Sequence, residues 1–165
     1  MVNSPPEERF RLLFVCTGNT CRSPMAEVIA RRRTRELGWG HVEVQSAGAA
    51  AAFTGAGASS GAVRTAKAHG LDLSAHSSQL LTEEMAASTD LILTMTPMHL
   101  MRVIELGAGD RAALLSSYAG GLEDASGVSI PDPIGGPDEE YEETFRLLDE
   151  LIERVLERLK PVLAR

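Results

Sequence analysis

The chain has only two cysteines, Cys16 and Cys21, and both fall within one short stretch. A secreted framework held by disulfides is thereby excluded, and a reduced, cytoplasmic setting is expected. Positive charge is also scarce: 16 Lys and Arg stand against 23 Asp and Glu, a formal net charge of −7. A general nucleic-acid surface or an acidic-membrane surface needs a net basic face, so neither partner is expected. No apolar run is long enough to span a bilayer. The polar opening segment, with Pro5-Pro6 and Glu7-Glu8, lacks the apolar core of a signal peptide. Internal repeats are absent. No Cys or His stands at ligand spacing from His99, so no metal ion is expected, and no other cofactor is called for.

What is present is ordinary globular material. A chain of 165 residues, 44% hydrophobic and 24% charged, suits one domain that buries its core without cross-links. Residues 11–165 are assigned to that domain and 1–10 to a flexible tail, and a monomer is expected.

Hydrophobic periodicity divides the domain into alternating strands and helices. The apolar run 12–15 reads as a central strand covered on both faces. Residues 24–37 read as a helix with Met25, Val28 and Ile29 at core spacing, Arg31-Arg32-Arg33 in solvent and Gly38 as its stop. A partly exposed edge strand follows at 41–46, then a loop over 49–61 that carries Phe53. Helices are expected at 61–69, with His69 at the surface near its end, and at 82–87; a strand follows at 90–95. Thr96-Pro97 marks the start of a helix to residue 106, with Met95, Met98 and Met101 packing and His99 exposed. A fourth strand is placed at 112–117. The Gly- and Pro-rich stretch 119–136 is an ordered loop of a length usually kept for function. Tyr141, Phe145, Leu148, Ile152, Val155 and Leu159 then form one stripe of a closing helix, and Asp138, Glu139 and Glu140 offset the dipole in its first turn. The result is a single doubly wound α/β domain with a four-stranded parallel sheet flanked by helices, in which ligands bind beyond the carboxyl ends of the strands.

At the first such end stands Cys16-Thr17-Gly18-Asn19-Thr20-Cys21-Arg22-Ser23, between the strand and a helix with Pro24 at its start. A loop in that context gathers backbone N–H groups at a helix N-terminus, which is an anion nest. Gly18 allows a φ that other residues resist, Asn19 tolerates the left-handed region, and Arg22 brings a planar fork of donors suited to phosphate. A thiol among such donors is favoured as the thiolate, a nucleophile. Ser23 either donates its hydroxyl to Cys16 or caps the helix, and these are compatible. Asp132 is the best general acid in the chain, held extended before Pro133 on the long loop. Alone, Asp132-Pro133-Ile134-Gly135-Gly136 reads as a turn; beside Cys16 it supplies a proton to a leaving group. A non-catalytic phosphoprotein-docking module would use the nest and Arg22 but neither Cys16 nor Asp132.

These residues resemble the low-molecular-weight protein tyrosine phosphatase family, and within it the bacterial protein-arginine phosphatases. The resemblance spans nearly the whole chain after the first ten residues. It is most specific over Cys16 to Glu27, at Ser46-Ala47-Gly48, His76-Ser77-Ser78 and Met95-Thr96, and from Asp132 to Gly136. It implies strand order 2-1-3-4, a phosphocysteine intermediate on Cys16, phosphate held by residues Thr17 to Ser23, and His76 ordering the loop through Asn19. It also implies phosphorylated protein substrates, inorganic phosphate as product, and a reversible redox pairing of Cys16 with Cys21. From the residues alone, Cys21 is equally a small side chain filling the nest. Thr20 stands where tyrosine phosphatases carry a branched aliphatic residue, which points to phosphoarginine. Ile134 departs from both patterns. Related arsenate reductases need further downstream cysteines, and none follows Cys21.

Overall fold

The computed structural model describes residues 8–50 and 54–164. Most of the expected tail and Phe53 therefore lie outside the described residues. In chain order the elements are β1 (Phe10–Cys16), α1 (Arg22–Glu36), β2 (Val42–Gly48), α2 (Ser60–Ala68), α3 (Glu83–Ala87), β3 (Leu91–Thr94), α4 (Pro97–Glu105), a 3-10 turn (Gly109–Arg111), β4 (Ala112–Leu114), α5 (Leu115–Ala119) and α6 (Asp138–Leu163).

β1 is apolar throughout its second half because both of its faces are covered. Leu12, Phe14 and Cys16 point into the larger core layer with Met25, Ile29, Phe145 and Ile152, whereas Leu13 and Val15 join Ile92, Leu81 and Val103 on the other side. β1 pairs in parallel with β2 from Phe10↔Val42 to Cys16↔Gly48, and with β3 from Leu12↔Leu91 to Val15↔Thr94. β3 pairs with β4, giving the order β2-β1-β3-β4. Every strand runs the same way, so the ends of β1 and β3 and the loops that leave them meet at one rim. No helix among the described residues is long and apolar enough to cross a membrane.

Several expectations needed correction. β1 starts at Phe10, inside the stretch assigned to the tail. The fourth strand stops at Leu114, where the sheet ends, and Leu115–Ala119 turns into a helix. Ser116 Oγ donates to the Val128 carbonyl and Ser117 Oγ accepts the Gly127 N–H, so these serines anchor the long loop instead of extending a ladder. α1 begins at Arg22 rather than Pro24; proline is tolerated there because first-turn N–H groups have no intrahelical acceptor. α1 ends as read, with Gly38 at φ 74° while Gly38 N–H bonds Arg35 O and Trp39 N–H bonds Thr34 O. The three arginines of α1 are not simply solvated. Arg33 pairs with Asp149 at 2.9 Å, Arg31 donates to Val44 O and Arg32 to His69 O. His69 itself stacks on Phe145, with centroids 4.1 Å apart, and bonds Glu142. Met95 is buried, but Met98 and Met101 are 74% and 61% exposed, on the face of α4 turned from the sheet.

Candidate active site: the loop from Cys16 to Ser23

The residue that sets this loop is Asn19, fully buried and at φ 57°. This is the left-handed conformation that asparagine tolerates, while Gly18 does not adopt it; a Cβ at Gly18 would meet only Thr20 Oγ1, at 3.8 Å. Asn19 Oδ1 accepts the Gln79 N–H at 3.0 Å, which fixes the amide's orientation. Its Nδ2 then donates to Ser23 Oγ at 2.8 Å and to Ser46 Oγ at 2.9 Å. Ser46 passes its own hydrogen to Glu27 Oε1 at 3.2 Å. His76 Nε2 lies 2.7 Å from the Asn19 carbonyl oxygen, a contact in which only the ring nitrogen can donate.

This network has a chemical consequence at the sulfur. Ser23 Oγ accepts from Asn19, which leaves its hydrogen for Cys16 Sγ, 2.8 Å away in a buried setting. That hydroxyl is thus a hydrogen-bond donor aimed at the sulfur. Above it, the N–H groups of Gly18, Asn19, Thr20 and Cys21 donate to no acceptor among the described residues. Groups left this way in a folded loop are what an oxyanion needs.

Arg22 is 5% exposed and ties this loop to the long loop that carries Asp132. Its Nη1 donates to Ile130 O at 3.0 Å, and Ile130 in turn donates its N–H to Met95 O at the end of β3. Its Nη2 reaches Thr17 Oγ1 at 3.3 Å and Asp132 Oδ2 at 3.4 Å. Nε is buried without a partner among the described residues, a donor free for an anion. The Asp132 side chain, 41% exposed, is also held by the Ile134 N–H on Oδ1 at 3.2 Å. Cys16, Arg22 and Asp132, separated by up to 116 positions in sequence, thus converge, and Arg22 is the hinge of that convergence.

Cys21 points to a different set of partners. Its thiol donates to Ser59 Oγ at 3.2 Å and lies 3.6 Å from the Tyr141 hydroxyl, and Ser59 and Tyr141 are 3.1 Å apart. Burial, together with Cys21 and against the Ser59 bond, raises the Tyr141 pKa, so the phenol keeps its proton there. Both cysteines are free thiols.

Two residues have roles at the site that the sequence did not disclose. His99, expected in solvent, is 3% exposed, and its Nε2 lies 2.8 Å from Thr17 Oγ1. The signal was its place three residues after Thr96, where a polar side chain reaches back to the helix start. Gly48 closes β2 so near the loop that a Cβ would meet Thr17 O at 2.7 Å. Among the described residues no group of three or more metal-ligating side chains occurs. The clefts near Trp39 and near Glu142 lie away from Cys16, since this site is built of donors more than of concavity.

The model of the family described as low molecular weight phosphotyrosine protein phosphatase matches residues 11–163. A protein-arginine-phosphatase of Geobacillus stearothermophilus is 38% identical over 153 residues, covering 92% of this chain and 97% of that one. A low molecular weight protein-tyrosine-phosphatase of Streptomyces coelicolor is 34% identical over 145 residues, with 85% and 87% covered. Among solved structures, a YwlE arginine phosphatase Cys-to-Ser mutant with a phosphorylated active site serine superposes with a TM-score of 0.85 at 35% identity, covering 93% of this chain and 97% of that one. Fold, residue match and relatives agree: the chain is an enzyme of the low molecular weight phosphotyrosine protein phosphatase family.

Proposed function

We propose that this enzyme is a protein-arginine phosphatase that works through a phosphocysteine on Cys16, with Arg22 and Asp132 as its other catalytic groups. One juxtaposition carries the proposal: a cysteine sulfur receiving a hydroxyl donor, in a loop with free backbone N–H groups, opposite the Arg22–Asp132 pair. Cys16 Sγ attacks phosphorus in line, the S–P bond forms and the bond to the guanidine nitrogen breaks, and Asp132 gives that nitrogen its proton. Charge on the equatorial oxygens is held by the nest from Thr17 to Ser23 and by Arg22. Water then attacks phosphorus, Asp132 takes its proton, and the sulfur leaves with Ser23 as hydrogen-bond donor, releasing inorganic phosphate. The serine phosphorylated in the relative's Cys-to-Ser variant supports the nucleophile.

Phosphoarginine is favoured by Thr20, a small polar, half-buried side chain in the loop, and by the arginine phosphatases among the relatives. Phosphotyrosine is the second reading, favoured by Ile134, 58% exposed two residues beyond Asp132, which offers an apolar wall for a ring. Side-by-side turnover of phosphoarginine, phosphotyrosine and phosphoserine peptides decides between them. The expected result is a stoichiometric burst, preference for phosphoarginine, and loss of turnover in Cys16→Ser with phosphate affinity kept within a small factor. Preference for phosphotyrosine transfers the assignment to the second reading. Wild-type activity in Cys16→Ser sinks the mechanism, and binding without turnover leaves a docking module.

A further inference from the structure

His99 does two things with one ring. Its Nδ1 accepts the Thr96 N–H at 3.2 Å, which closes the first turn of α4. A neutral ring with Nδ1 as acceptor carries its hydrogen on Nε2, and that nitrogen stands 2.8 Å from Thr17 Oγ1. The ring therefore donates to the same oxygen that receives Arg22 Nη2 at 3.3 Å. Nη2 is also the atom that faces Asp132 Oδ2, at 3.4 Å. A single hydroxyl oxygen thus connects the residue after Cys16, the guanidinium and, through it, the acid.

The setting keeps the ring in that form. Burial pushes the His99 pKa down to about 4, the neighbouring Arg22 charge adds to this, and Asp132 works against it. At neutral pH the ring is an uncharged donor, which spares Arg22 a second cation beside it. The ring itself is 3% exposed, whereas Thr17 is exposed.

We infer that His99 is a positioning residue: by holding Thr17 Oγ1 it fixes the Arg22 guanidinium between the nest and Asp132. The inference rests on the roles given above to Cys16, Arg22 and Asp132. Arg22 is restrained at Nη1 by Ile130 O, a main-chain acceptor that does not depend on α4. Among the described residues the Nη2 end meets Thr17 Oγ1 and a half-exposed carboxylate, and of these two acceptors Thr17 is the one held by a buried side chain. Loss of His99 should therefore disturb the guanidinium at the end that faces Asp132.

Two substitutions separate the ring's tasks. Asn places an oxygen near the position of Nδ1, so it keeps the helix cap and falls short of Thr17. Gln carries an amide nitrogen to about the reach of Nε2, so it restores the donor to Thr17 at the cost of the cap. If the ring is only a cap, Asn behaves as wild type and Gln is impaired; positioning demands the reverse order.

The measurements are kcat and KM on aryl phosphates with good and poor leaving groups, inhibition by inorganic phosphate, and Tm. For His99→Asn the expected loss in kcat/KM is about tenfold or more, chiefly in kcat and larger for the poor leaving group, as for one buried hydrogen bond removed from a catalytic array. His99→Gln should recover to within about threefold of wild type. Unchanged kinetics in His99→Asn, or a Gln variant as slow as Asn, overturns the inference. Thr17→Val provides a second route that leaves α4 untouched: with His99→Asn it should give a double variant no slower than the worse single one. Multiplying losses would show that His99 acts elsewhere and reject the proposal. Absence of a burst in the wild type, or an active Cys16→Ser, removes the catalytic reading of the loop first and this inference with it.

Discussion

Asn19 makes no contact that breaks or forms a bond, yet three donors and acceptors of its amide and its own carbonyl are committed to Gln79, Ser23, Ser46 and His76. A left-handed residue other than glycine costs on the order of 1 kcal/mol, and four such bonds offset it. The sequence could disclose the residue, since asparagine tolerates that conformation, but not its partners, which lie as far as 60 positions away. Cys16, Arg22 and Asp132 could be put forward from sequence because their chemistry is rare and their local context specific, and the fold brings Arg22 against Asp132. His99 was not, because a histidine in the first turn of a helix looks solvated until the fold brings Thr17, 82 positions distant, against it. Thr20 offers a test at this scale. Replacing Thr20 with Ile removes a hydroxyl and adds apolar surface, so the ratio of kcat/KM for phosphoarginine to that for phosphotyrosine peptides should fall by about tenfold to a hundredfold. An unchanged ratio in a folded variant would deprive the arginine assignment of its main residue.

At the level of elements, periodicity located β1, β2, β3 and α6 to within a few residues, because each either buries apolar faces or carries one clear stripe, and the Thr96-Pro97 start located α4. It failed at Ala112-Ala113-Leu114-Leu115-Ser116-Ser117, a short apolar run that fits strand and helix equally. There the outcome was set by Ser116 and Ser117 meeting the loop at Val128 and Gly127. It was also silent on how β2 supports the nest. Gly48 N–H bonds Gln79 O, its carbonyl takes Leu81 N–H, and Ala49 N–H bonds Cys16 O, so β2's end and the loop are seamed together. A methyl group at Gly48 would meet backbone atoms of Thr17, Gly18 and Asn19 at 2.7, 3.1 and 3.2 Å, none of which can swing aside as a side chain does. Gly48→Ala should therefore cost about 1 to 3 kcal/mol, as overpacking does, and lower kcat/KM further than the stability loss explains by displacing the nest. Wild-type Tm and kinetics would show that the seam yields freely.

For the whole molecule, the parallel sheet delivers the Cys16 loop, the start of α4 and the Asp132 loop to one rim, and it also makes folding stability answerable to a catalytic-rim residue. His99 has a pKa near 4 in the folded protein, depressed by burial first and by Arg22 second, against 6.5 when exposed. Between those values the unfolded chain binds a proton that the folded protein refuses, so stability is complete above pH ~6.5 and declines as pH falls toward ~4. The limiting loss for such a displacement is about 3 kcal/mol, an order-of-magnitude figure. Charged groups facing the ring are Arg22 from α1 and Asp132 from the long loop, and both remain in His99→Asn. Every other titration, including those of the many carboxylates behind the net charge of −7, is common to the two proteins. Urea unfolding of wild type and His99→Asn at pH 7 and again near pH 4.5 isolates the one proton. The wild type should lose more stability over that interval than the variant, by about 2 kcal/mol. Parallel pH profiles would mean that the buried ring is protonated without penalty, and that its neutral, Thr17-donating form is not enforced by the fold.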